Sequence, residues 1–150
     1  MSTDHSQRAH RHINLALGYA EAARRVLAVE LIGAERLAYF SLVAHGLELA
    51  MKAMLASIGY DEERLMLIGH DLRWCRQAVM SKQPAVPGIS DPQFIDIVDH
   101  LAAPHALQCF RYPQPLREPL PDPSVTLDVL QRLIAVAEAG RIHKQSAPPG

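Results

Sequence analysis

The sequence predicts an all-α protein, a bundle of helices set between proline-rich stretches. Two features carry that expectation. Apolar residues recur at three- and four-residue steps in every segment between the proline-rich stretches. No run alternates apolar and polar residues over a useful strand length. A chain of 150 residues, 49% of them hydrophobic, has the size of one domain and buries a core without disulfides or a structural metal.

The first helix is expected from Ile13, with Leu17, Ala20, Ala23, Leu27 and Leu31 along its buried stripe, and the polar start, residues 1–12, as a flexible arm. A break at Ile32 and Gly33 precedes a second helix from Ala34 to Ile58. It is apolar on nearly every side and is followed by Gly59, suited to the left-handed position after a helix. The acidic stretch Asp61 to Arg64 reads as a polar link. Beyond it His70 or Asp71 caps a third helix that turns Leu72, Cys75, Val79 and Met80 inward. Three prolines and a glycine make residues 81–92 a loop. Ser90 or Asp91 then caps a helix with Pro92 just inside it, Gln93 placed for a capping box, and Phe94, Ile97, Val98 and Leu101 buried. Pro104 is expected to interrupt or kink that helix. Five prolines between Tyr112 and Pro123 predict an extended strap. A last helix starts at Asp122 and Pro123 and ends at Gly140, leaving 141–150 as a disordered tail and 13–140 as the domain.

Composition narrows the function. With 15 Lys and Arg against 16 Asp and Glu there is no global positive field to gather nucleic acid, so RNA or nucleotide binding requires a local patch. Cys75 and Cys109 are too few and too far apart for a disulfide framework and read as core residues. The chain shows neither a membrane-spanning apolar run nor a secretory leader, which predicts a soluble cytoplasmic protein. His100 and His105 flank Pro104 with no cysteine or second carboxylate at ligand spacing, so no metal site and no cofactor is expected.

One stretch carries polar chemistry inside apolar sequence. His45, Glu48 and Lys52 share a face of the second helix, and Glu48 four residues ahead of Lys52 is the favourable order for an ion pair. That helix offers few solvent-facing positions, so these side chains need partners. The candidates are His70 and Asp71, and Arg111 and Tyr112, both sets at junctions of helix and loop. The expected binding cluster is therefore His45, Glu48, Lys52, His70, Asp71, Arg111 and Tyr112, with Glu48 at its hub.

The stretch FSLVAHGLELAMKAMLASIG, followed by GHDL and then RYP, resembles the HEPN domains over about Leu37 to Pro113. The resemblance implies a four- or five-helix up-down bundle, commonly a homodimer. It also implies a role as a ribonuclease of toxin–antitoxin or other defence systems, as a companion of a minimal nucleotidyltransferase, or as a module without enzymatic activity. The ribonuclease members use an arginine, usually followed by a polar residue, and a histidine after four to six intervening positions. Here the one match is Arg64 to His70, with Leu65 after the arginine. Chance alone supplies about two such matches in a chain with this many arginines and histidines. The expectation is a binding or accessory module for an RNA, nucleotide or protein partner. The rival readings are a metal-independent endoribonuclease toxin using Arg64 and His70, and a structural dimer with no ligand.

Overall fold

The computed structural model describes residues 2–29, 31, 33–110 and 119–146, and is all-helical there. Six helices follow in order: α1 Ser2–Leu27, α2 Ala34–Ser57, α3 Glu62–Ile68, α4 Leu72–Lys82, α5 Pro92–Ala106 and α6 Pro123–Ser146. None is long and apolar enough to cross a membrane among the described residues.

The centre is α2. Tyr39, Phe40, Val43, Leu47, Ala50, Met51 and Leu55 are fully buried on it, because every other helix packs against it or against its neighbours. Helix α1 runs antiparallel to it: Arg8, near the start of α1, donates to the Tyr60 carbonyl just past the end of α2, and Tyr19 stacks on His45. The contact stripe of α1 is Ala9, Ile13, Ala16, Ala20 and Ala23. Four alanines in five positions let the two backbones approach closely. Helix α6 runs parallel to α2. Tyr39 near the start of α2 donates to the Pro123 carbonyl at the start of α6, and further along Gly46 meets Leu130 so closely that a Cβ there would lie 2.8 Å from a Leu130 methyl. Helices α4 and α5 form an antiparallel pair held by Arg73 on Asp99 at 3.0 Å. The link between them is tied down by Arg76, whose Nε donates to the Ile89 carbonyl at 2.8 Å.

Several elements depart from the sequence expectation. The first helix begins at Ser2, and residues 2–12 are not a free arm. Ala9 continues the buried stripe one turn back from Ile13, and Arg8 is only 6% exposed, held by Asp4, Glu62 and the Tyr60 carbonyl. Leu17, assigned to the stripe, is half exposed, because the contact phase runs through Ala16. The acidic link holds a helix, α3. Asp61 caps it by accepting from the Arg64 amide, and Leu65 and Ile68, three apart, are buried. Pro104 lies inside α5 and the helix passes through it to Ala106. So near the end, the ring forfeits only the bond to the His100 carbonyl. Gln93 does not complete a capping box, since its side chain accepts from Arg132 and Asp91 alone caps α5. Helix α6 runs through Gly140 to Ser146, so residues 141–146 are not a disordered tail. A single interior glycine costs a helix about 1 kcal/mol, which its neighbours outweigh.

Candidate functional site

Glu48 and Lys52 lie one turn apart on the side of α2 that faces the α3–α4 link and α5, where little solvent reaches them: they are 4% and 8% exposed. Their charges are met from three parts of the chain. Lys52 Nζ donates to Glu48 Oε2 at 3.1 Å and to the Gly69 carbonyl at 2.7 Å. The other carboxylate oxygen, Oε1, receives His70 Nδ1 and His105 Nε2, each at 2.9 Å. A carboxylate only accepts, so both nitrogens carry their protons towards it. Burial by itself raises the Glu48 carboxyl. The His105 hydrogen bond, the Lys52 charge and the His70 hydrogen bond outweigh it and bring the group down to about 2. Glu48 is an anion at any physiological pH.

Local structure explains the placement. His70 stands between two helix ends, after Gly69, whose φ of 61° turns the chain out of α3, and before Asp71, which caps α4 by accepting from the Trp74 amide. His105 sits in the last turn of α5 and is 4% exposed, whereas the His70 side chain is 52% exposed. His45, one turn before Glu48, takes another partner: its Nδ1 donates to the Ser41 carbonyl at 2.9 Å. Burial pushes its pKa down, so the ring is held neutral with Nε2 as an acceptor. The three imidazoles stand together, with ring centres 4.6 Å apart for His45 and His105, 5.6 Å for His70 and His105, and 6.0 Å for His45 and His70. Beside them Ser41, Gln108 and Phe110 close a cavity of about 20 Å³. That is room for one water molecule or one small ion.

Of the seven residues expected in the cluster, Glu48, Lys52 and His70 are bonded together, and His45 adjoins them through ring contacts. Asp71 is a helix cap, its carboxylate turned to the α4 amide. Arg111 and Tyr112 lie outside the described residues. Arg64 and His70 have separate partners, Arg64 lying over the Tyr60 ring at 4.4 Å while His70 bonds Glu48.

His105 is the member that sequence reasoning missed. It was read beside its chain neighbour His100 and set aside as a ligand, but the fold brings it to Glu48, 57 residues away. No spacing rule spans that separation. Spacing along the chain gives no metal-ligand set, yet the fold brings Glu48, His70 and His105, from α2, a link and α5, to offer three ligand atoms within 4.8 Å of one another. Cys75 is pushed up to about 12 by burial and stays a thiol. No family model matches the chain, and no curated protein and no solved structure is detectably similar to it.

Proposed function

We propose that this protein is a HEPN-like accessory module that holds a protein partner, and not a ribonuclease. One observation carries the reading. Met66, Leu67, Trp74 and Leu107 are 77%, 69%, 48% and 70% exposed, and all four belong to the short segments on either side of His70 and His105. Large apolar side chains left exposed so near to the two histidines along the chain favour a contact surface there. A nucleotide does not fit among the imidazoles themselves, where the space is about 20 Å³ against the roughly 300 Å³ or more that sites for ligands of that size occupy. Against RNA cleavage stands the division of Arg64 and His70 between Tyr60 and Glu48. The resemblance in sequence favours a second copy of the chain as the first partner to test. The apolar faces of α2 and the alanine stripe of α1 are used within the chain.

The test is light scattering of the full chain at tens of micromolar, with and without Leu67→Glu and Leu107→Glu together. A dimer that the double variant converts to a folded monomer supports the reading. A wild-type monomer that also fails to retain the product of the adjacent gene on co-expression sinks it. Cleavage of single-stranded RNA that disappears in a folded His70→Ala variant replaces it with the endoribonuclease.

A further inference from the structure

The Glu48 network holds more donors than its charge requires. Lys52 alone neutralises the carboxylate and is itself fixed by the Gly69 carbonyl. Two further N–H groups nonetheless converge on the single oxygen Oε1, one from the α3–α4 link and one from α5. Two imidazoles and one carboxylate oxygen on three separate elements, beside a cavity the size of one water, make up the donor set used for first-row divalent metals.

We propose that Glu48, His70 and His105 form a binding site for a divalent transition metal of the zinc class, with water in the adjoining cavity as the remaining ligand. The ligand atoms are Glu48 Oε1, His70 Nδ1 and His105 Nε2. Zinc bonds of about 2.0 to 2.1 Å in a tetrahedral arrangement space neighbouring donors about 3.3 Å apart, so each nitrogen, now 2.9 Å from Oε1, has to withdraw by about 0.4 Å, and the two nitrogens, within 4.8 Å of each other, have to take up the same spacing. Half-exposed His70 has the freedom to do this. Coordination replaces the two protons now aimed at Oε1. A ring that arrives neutral shifts its proton to the other nitrogen, and a ring that arrives charged releases one to solvent. Lys52 is the outer partner: by holding Oε2 it leaves Oε1 as the single ligating oxygen, the service that hydrogen-bonded neighbours perform for ligating carboxylates. Two nitrogens and one oxygen exclude calcium and magnesium as the preferred ions, since both take oxygen ligands. The inference does not depend on the partner proposed above.

The experiment uses the full chain, stripped with a chelator and dialysed. Zinc titrated by calorimetry is expected to bind one equivalent, and cobalt to give visible ligand-field bands that zinc displaces. At 100 times the dissociation constant the melting temperature should rise by about 5 to 10 °C. His70→Gln and His105→Gln should each weaken zinc by about 100-fold or more, and His100→Gln should leave it unchanged. His70→Gln carries the test if the buried His105→Gln variant fails to fold. No binding at tens of micromolar zinc overturns the proposal, as does binding that His70→Gln leaves intact, which would assign the metal to other histidines of the chain.

Discussion

Replacing one carboxylate with an amide measures how much the polar network matters. Glu48→Gln removes the anion to which Lys52, His70 and His105 all bond and leaves a buried ammonium facing a neutral side chain. Loss of one partner of a buried pair costs about 3 to 5 kcal/mol. Urea denaturation is expected to return that loss for Glu48→Gln, and under about 1 kcal/mol for half-exposed His70→Gln. Glu48→Gln and Lys52→Met combined should cost less than the sum of the two, because each alone strands the other group. Acid repeats the experiment by protonation. The folded carboxyl titrates near 2 against an ordinary 4.5, so its contribution is complete above the unfolded value and is lost as pH falls from about 5 to about 2. Its size is on the order of 3 kcal/mol. Denaturation midpoints measured across that range with chelator present should fall steeply in the wild type and much less in Glu48→Gln. His45 adds to the same slope between the ordinary histidine range and its lowered value, since the fold holds it neutral. Glu48, Lys52 and His70 were legible because i, i+4 spacing and an apolar context demand partners. His105 was not, because a ligand supplied by tertiary structure leaves no local mark.

At the level of elements, the proportions follow the reach of periodicity. Long helices were legible: the bounds of α2 agree with Gly33 and Gly59, and the Asp caps of α4 and α5 stand where expected. The seven-residue α3 carries too few turns for a stripe to stand out, and its cap Asp61 is the one sign it leaves. The start of α1 escaped because alanine, histidine and arginine look solvated until a partner such as Glu62 is known. That difference is testable. Removing residues 1–12 should lower stability by at least about 2 kcal/mol in urea denaturation, through loss of the Ala9 packing and of the Arg8 bonds to Glu62 and the Tyr60 carbonyl, whereas a free arm would cost nothing. At the crossing of α2 and α6, Gly46→Ala places a methyl 2.8 Å from a fully buried Leu130. Overpacking of this kind costs about 1 to 3 kcal/mol, visible as a lower melting temperature with an unchanged helical spectrum.

Over the whole molecule, the most intimate packing is between neighbours in sequence, α1 with α2, while α6 closes on both from the far end of the chain and the polar network ties Glu48 to groups 22 and 57 residues away. Closing such loops is the late and entropically costly part of assembly. Glu48 is anchored by three donors, two of them distant in sequence, and this has a kinetic meaning: the two distant bonds are expected to form after the barrier, so they govern how long the native state lasts more than how quickly it is reached. In stopped-flow measurements Glu48→Gln should accelerate unfolding by roughly a hundredfold or more while changing the refolding rate by less than about threefold. Equal and opposite changes in both rates would place the carboxylate in the folding nucleus instead. A network buried for this purpose acts as a latch, and the half-exposed His70 is the one part of it within reach from outside.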